Sequence, residues 1–143
     1  YAGGANPNPT YEQICTGNSG HAEVIKILFN PAKTSYEQLL VTFGDCHDPT
    51  TLNRQGADTG TQYRSTIMYV NDDQKQLAEA WKSKLGSELE DPVVTEIVAS
   101  PVFYPAEDYH QDYFRRNPNQ GYCAFVIRPK LKKLKLGEDA KEQ

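Results

Sequence analysis

The block Asp58-Thr59-Gly60-Thr61-Gln62-Tyr63-Arg64-Ser65 places a carboxylate, an amide, a phenol and a guanidinium around one glycine, just before an apolar run. So many unlike polar groups suit the fixing of one small polar ligand. Gly60 lets the backbone approach that ligand closely or take positive φ. A second block, Gly20-His21-Ala22-Glu23, sets another acid at the mouth of a β-rich segment. Beside apolar residues, desolvation favours the neutral form of Glu23 and raises its pKa above ~4.3, which would make it a proton donor. Tyr11 and Tyr63 lie in loops on either side of this segment, each with a phenolic donor. The plainer alternatives are a water-facing edge glutamate and two half-buried tyrosines whose hydroxyls meet solvent.

The remaining reactive side chains are less pointed. His21, His47 and His110, with Cys46, Asp48 and Asp58, fit no familiar ligand spacing, and Cys-x-x-Cys and His-x-x-x-His are both missing, so no metal is expected. No serine stands in a nucleophile elbow. Cys15 and Cys46 are read as small, partly buried hydrophobes. Cys123, between Gly121-Tyr122 and a late apolar stretch, is expected in a mobile, accessible setting where thiol exchange is feasible.

The elements that must position these groups follow from punctuation and periodicity. Residues 1–20, rich in glycine and Asn-Pro turns, are expected as an irregular loop. Val24, Ile25, Ile27, Leu28 and Phe29 predict a buried strand closed by Asn30-Pro31. Ser35 with Gln38 forms a capping-box pattern opening a helix whose stripe is Leu39, Leu40 and Phe43, ending between Gly44 and Asp48. After a polar loop, Thr66 to Val70 predicts a second strand. Asn71 or Asp72 then caps a helix to about Gly86, with Leu77, Trp81 and Leu85 on its inner face. Val93 to Val98 predicts a third strand, Ala106 to Arg116 a short helix, and Ala124 to Ile127 a brief apolar stretch. Strands alternating with helices imply a two-layer α/β or α+β sandwich with its functional groups in loops.

With 143 residues, one domain is expected, large enough for its own core. Apolar content of 38% and a net charge of −4 argue against a nucleic-acid surface. The one basic run, Arg128 to Lys135, opens a C-terminal tail over 128–143. No stretch approaches the ~18 apolar residues of a membrane span, and no signal-peptide pattern is present. Three cysteines without framework spacing favour a reducing, cytoplasmic setting. Met68 is the only methionine, so Tyr1 is not an initiator, and an N-terminally shortened chain is expected.

The ordered blocks Tyr1-Ala2-Gly3-Gly4, Asn8-Pro9-Thr10-Tyr11, Gly20-His21-Ala22-Glu23, His47-Asp48-Pro49-Thr50 and Gly60-Thr61-Gln62-Tyr63-Arg64-Ser65 are joined by two later ones. These are Phe103-Tyr104-Pro105-Ala106-Glu107-Asp108-Tyr109-His110-Gln111 and Gly121-Tyr122-Cys123. Together they resemble peptide methionine sulfoxide reductase of the A type along nearly the whole chain. The resemblance implies reduction of the S epimer of methionine sulfoxide, free or in peptides, with no cofactor and with thioredoxin as reductant. It puts the proton donor on Glu23, the hydroxyl donors on Tyr11 and Tyr63, the supporting acid on Asp58, and the substrate pocket around His110, Tyr113 and Tyr122. It leaves Cys123 as the resolving thiol. It also implies a split β-α-β, ferredoxin-like core with long functional loops. The family's attacking cysteine belongs to a Gly-Cys-Phe-Trp-Gly motif upstream of the position of Tyr1. None of the three cysteines here has that context, so the first strand and helix of the sandwich are expected to be missing as well. The alternative is a catalytically dead member that only binds sulfoxide peptides or a thioredoxin-like partner.

Overall fold

The computed structural model describes residues 1–134, which fall into two compact units, Tyr1–Pro105 and the residues from Ala106 onward. The frame of the first unit is one β-α-β crossover. Strand β3 (Thr66–Tyr69) leads into helix α3 (Asp72–Glu88) and returns as β4 (Glu96–Ala99), parallel to β3 with Thr66 opposite Glu96 and Tyr69 opposite Ala99. Parallel neighbours need such a crossover because a tight turn cannot reverse the direction twice. Asn71 starts α3 by accepting the Gln74 N–H on its Oδ1 at 2.9 Å, and Asp72 and Asp73 meet the positive end of the helix.

Helix α2 (Tyr36–Cys46) begins with a reciprocal cap: Ser35 Oγ accepts the Gln38 N–H at 3.2 Å, and Gln38 Oε1 accepts the Ser35 N–H at 2.9 Å. The apolar stripes of α2 and α3 close on the sheet, where Leu40, Ile67 and Ala78 are buried under Tyr36, Phe43, Leu77, Trp81 and Ile97. The α+β class therefore holds.

A short hairpin, β1 (Arg54–Gln55) and β2 (Asp58–Thr59), stands apart from this sheet. Tyr1-Ala2 is tucked between residues 22 and 103 through antiparallel bridges of Ala2 to Ala22 and Phe103.

Two expectations for this unit need correction. Residues 1–20 are not wholly irregular, because Tyr11–Cys15 form helix α1. Its cap repeats the grammar of α2, with Thr10 and Gln13 bonding each other's N–H groups at 3.4 and 3.1 Å. The run Val24 to Phe29 is not a buried strand: Ile25 and Leu28 are 82% and 88% exposed, and neither sheet of the described residues includes it. β propensity favours pairing but does not supply a partner. Here the pairing stops at Ala22 and at the Glu23 N–H, which donates to Gln62 O at 2.9 Å.

At the start of β3 and β4 lies a chain of polar groups, with Ser65 and Thr95 buried and His47 and Lys82 half-buried. The Lys82 ammonium donates to Thr95 O at 2.6 Å, the Thr95 and Ser65 hydroxyls bond at 2.7 Å, and Ser65 Oγ meets His47 Nε2 at 2.6 Å. His47 Nδ1 faces the Phe43 carbonyl, an acceptor only, so Nδ1 carries the proton and Nε2 accepts from Ser65. Ser65→Ala strips a partner from both neighbours in a dry place and should destabilise the fold by ~1–3 kcal/mol. That corresponds to several degrees in a thermal melt, at about 2–4 °C per kcal/mol for a domain of this size. An unchanged melting temperature would show that the network is satisfied some other way.

In the second unit the span from Ala106 to Arg116 is a 3₁₀ turn (Asp108–His110) followed by helix α4 (Tyr113–Arg116), not one helix. Asp112 breaks it by taking a left-handed backbone, φ 52°. Cys123–Ile127 form a π-helical turn that runs on into α5 (Arg128–Lys133). Of the tail expected over 128–143, α5 and Leu134 are described, and 135–143 lie outside the described residues. No helix among the described residues is long and apolar enough to cross a membrane.

Candidate active site

Three segments of the first unit carry the expected donors: α1, the stretch around 20–23, and the turn from β2 to β3. Arg64 ties two of them together. Its Nη2 donates to Gly20 O at 3.1 Å, its Nη1 to Thr61 O at 2.9 Å, and its Nε pairs with Glu96 Oε1 at 3.0 Å. The guanidinium that the sequence offers to a ligand is thus engaged within the fold, where its planar fork braces the loops. His21 does the same for the N-terminal loop. It is fully buried, its Nδ1 accepts the Gly4 N–H at 3.2 Å, and its Nε2–H donates to Asn6 O at 2.8 Å. Only glycine fits at position 4, since a Cβ there would stand 2.3 Å from the His21 ring. Both ring nitrogens of His21 are taken up by backbone. Among the described residues no group of three or more His, Cys, Asp or Glu side chains is placed to hold a metal.

The acid and the hydroxyls act on one another. Cys15, one turn along α1, is the first influence on the Tyr11 phenol: hydrogen bonding toward its side chain and its charge, then burial and the nearby Glu23 and Tyr63, push the Tyr11 pKa up to about 12. Tyr63 is raised by burial first, then by the carboxylates of Glu23 and Asp58 and by Cys15, while the Gln62 side chain opposes them. Both phenols therefore keep their protons through neutral and mildly alkaline pH. A negative charge at Glu23 or Asp58 makes the phenolate costly. Glu23 itself is exposed, so the desolvation expected from a flanking buried strand is not supplied by residues 24–29.

Glu23, Tyr11, Tyr63 and Asp58 are thus brought within electrostatic reach from separate segments. A family model described as peptide methionine sulfoxide reductase matches residues 1–143. A protein of Rhodopirellula baltica named peptide methionine sulfoxide reductase MsrA 1 is 53% identical over 134 residues, covering 94% of this chain and 70% of that protein. One of Acinetobacter baumannii, named peptide methionine sulfoxide reductase MsrA, is 57% identical over 134 residues, covering 94% and 77%. The chain belongs to the peptide methionine sulfoxide reductase family. Solved structures agree. Methionine sulfoxide reductase A of Corynebacterium diphtheriae superposes with a TM-score of 0.74 at 37% identity, covering 83% of this chain and 62% of that one. Mxr1 of Saccharomyces cerevisiae in reduced form gives 0.78 at 34% identity, covering 85% and 67%.

Against that family background two cysteines depart from their sequence reading. Cys15 is exposed and acts on the Tyr11 phenol, so it belongs with the cluster rather than to a core. The Thr10–Gln13 capping box was the signal that could have found it, because a helix there puts residues 11 and 15 on one face. Cys123 is 0% exposed, since it opens a helical turn instead of lying in an open loop. His110, Tyr113 and Tyr122 share its unit. His110 Nε2 lies 3.9 Å from Glu107 Oε2 and its ring stacks against Tyr109. Tyr113 opens α4 half-buried, and Tyr122 is exposed.

Proposed function

We propose that this chain carries the acid and donor half of a site that reduces methionine S-sulfoxide, free or in peptides, to methionine. The supporting observation is the convergence of one carboxyl, Glu23, with two phenols that hold their protons, Tyr11 and Tyr63. A sulfoxide has an electron-poor sulfur and an oxygen that accepts hydrogen bonds. A thiolate that attacks the sulfur drives charge onto that oxygen, where two phenols can stabilise it and one acid can protonate it. Seating the apolar methyl thioether over Glu23 removes its water and favours the neutral acid. The new S–S bond then gives way as hydroxide shifts to the enzyme sulfur, releasing methionine and leaving a cysteine sulfenic acid.

The attacking cysteine comes from a Gly-Cys-Phe-Trp-Gly segment upstream of Tyr1. The exposed Ile25 and Leu28 of residues 24–29 would be covered by a neighbouring strand that completes a ferredoxin-like sandwich. Asp58 supports the charge of the acid cluster, and the family resemblance assigns His110, Tyr113 and Tyr122 to substrate binding. The Cys123 thiolate displaces hydroxide from the sulfenic sulfur, giving water and a disulfide. Thioredoxin, in a cytoplasmic setting, reduces that disulfide and is itself oxidised.

Tyr11→Phe and Tyr63→Phe test the convergence. In a longer chain whose Gly-Cys-Phe-Trp-Gly segment precedes Tyr1, each should slow single-turnover reduction by on the order of 10- to 10²-fold, at or below the loss from removing one oxyanion donor. The double variant should lose more than either, but not the product of the two losses, because both act on one oxygen. Strict multiplication with a combined loss of only a few fold would mean that the hydroxyls serve different atoms.

A further inference from the structure

His21 stands two residues before the proposed acid and has none of its surface exposed. What it holds is the start of the chain. The Gly4 N–H donates to its Nδ1 at 3.2 Å, and its Nε2 meets Asn6 O at 2.8 Å. A carbonyl only accepts, so Nε2 carries the proton, and that one tautomer serves both bonds. The ring also meets the Tyr104 ring edge-on, with centroids 5.7 Å apart. Gly3, at φ 96°, is pinned in a similar way. A Cβ there would stand 2.9 Å from Arg64 Nη2, the nitrogen that donates to Gly20 O.

The segment held in this way lies against the acid. Ala2 and Ala22 exchange both backbone hydrogen bonds, at 3.1 and 2.7 Å, in an antiparallel bridge. Antiparallel neighbours run in opposite directions, so this register carries Tyr1 level with Glu23 and Gly3 level with His21. The Glu23 N–H in turn donates to Gln62 O, next to Tyr63. Three backbones are therefore linked in order, and chain that enters Tyr1 from upstream passes Glu23 first. Ala2 bridges Phe103 on its other flank, but each contact is a single bridge and not a ladder. The two bonds of His21, two and four residues further along, add the ties that resist lengthwise sliding.

We propose that His21 is a positioning residue for the reaction: its imidazole clasps Gly4 and Asn6 and so fixes the chain descending from the attacking cysteine at a set distance from Glu23. The inference rests on the proposed attack by a cysteine upstream of Tyr1. Thiol and acid must meet one S–O group from two separate segments, and His21 ties those segments together.

Three substitutions separate the parts of the clasp. His21→Phe keeps a ring and loses both bonds, His21→Asn can keep an acceptor near Nδ1, and His21→Gln can keep a donor near Nε2. In the 143-residue chain, the Gly4 N–H should exchange with solvent roughly tenfold faster in the phenylalanine variant, the scale of one lost hydrogen bond. The Glu23 N–H should exchange as in the parent. In a longer chain that carries the attacking cysteine, single-turnover reduction of N-acetylmethionine S-sulfoxide amide should slow by on the order of 10- to 10²-fold in His21→Phe, the scale of a ~1 Å misplacement. Asparagine and glutamine should each lose less. Affinity for the sulfoxide should hold, and so should alkylation of the same thiol by iodoacetamide, a reaction that needs no acid. Melts confirm folding, and the asparagine and glutamine variants decide the matter if phenylalanine does not fold. Gly4 exchange at the parent rate overturns the inference, as does parent-rate reduction by folded variants whose Gly4 exchanges faster. Alkylation that falls along with reduction also overturns it, since His21 would then support the structure in general. A parent longer chain whose thiol alkylates but which reduces no sulfoxide overturns the reading of the site, and this inference with it.

Discussion

In a longer chain whose Gly-Cys-Phe-Trp-Gly segment precedes Tyr1, Glu23→Gln should slow single-turnover reduction of an S-sulfoxide by ~10²–10⁴-fold, as for other lost general acids. Substrate affinity should change far less, because the glutamine amide still donates a hydrogen bond to the S–O oxygen but cannot deliver a proton. The loss amounts to ~3–5 kcal/mol of transition-state stabilisation, at about 1.4 kcal/mol per factor of ten. The pH profile adds a second signature. An acid must be protonated to act, so the parent rate falls as pH rises through the Glu23 pKa, and the glutamine variant lacks that limb. The same substitution has a readout independent of turnover. Glu23 helps to raise both Tyr11 and Tyr63, so removing its charge should lower both phenol midpoints in the 143-residue chain. A near-normal single-turnover rate in the glutamine variant would remove Glu23 from the acid role. Unmoved phenols would remove it from the cluster.

What the sequence disclosed, and what it hid, follows from the range of the interactions involved. The cap of α2 is local, with Ser35 and Gln38 three residues apart, and the structure has it as read. The β3-α3-β4 crossover is nearly as legible, because a strand, a capped helix with Leu77 and Trp81 on one stripe, and a second strand follow one another without interruption. Helix α1 carries the same reciprocal cap as α2, at Thr10 and Gln13, yet glycines and prolines around it dominate the composition and obscure it. Residues 24–29 failed for the opposite reason. Their pattern is strand-like, but whether a strand is buried depends on a neighbour that no local pattern specifies.

The site was partly legible in the same sense. Glu23, Tyr11 and Tyr63 could be singled out by chemistry and by family resemblance, whereas their mutual reach depends on long-range ties. Arg64 spans 44 residues to hold Gly20, and His21 spans 15 to hold Asn6. Neither tie has a sequence signature, and both use side chains that a sequence reading would sooner assign to a ligand or a metal. Cys15 entered the cluster, and Cys123 left the surface, because each lies on a helical turn where an open loop was expected.

Cys123→Ser in the longer enzyme should leave the first turnover intact, yielding one methionine per molecule, and abolish turnover driven by thioredoxin. The serine hydroxyl cannot displace hydroxide from a sulfenic sulfur, so no protein disulfide forms for thioredoxin to attack. A small dithiol such as dithiothreitol reduces the sulfenic acid directly and should restore part of the steady-state rate. The burial of Cys123 sharpens this expectation. Its thiol has no access to solvent, so resolution by Cys123 calls for a rearrangement that exposes it. The turn at Cys123–Ile127 is π-helical, a rare local geometry frequent at functional sites. Cys46, half-buried at the end of α2, and Cys15, exposed beside Tyr11, are the competing thiols. Cys15 is the sharper rival, because it already sits among the groups proposed to act on the sulfoxide. Cys15→Ser should therefore be assayed alongside: it should keep thioredoxin-driven turnover if Cys123 resolves, and lose it if Cys15 does. Parent-rate turnover with thioredoxin in Cys123→Ser, together with its collapse in Cys15→Ser, would transfer the resolving role to α1.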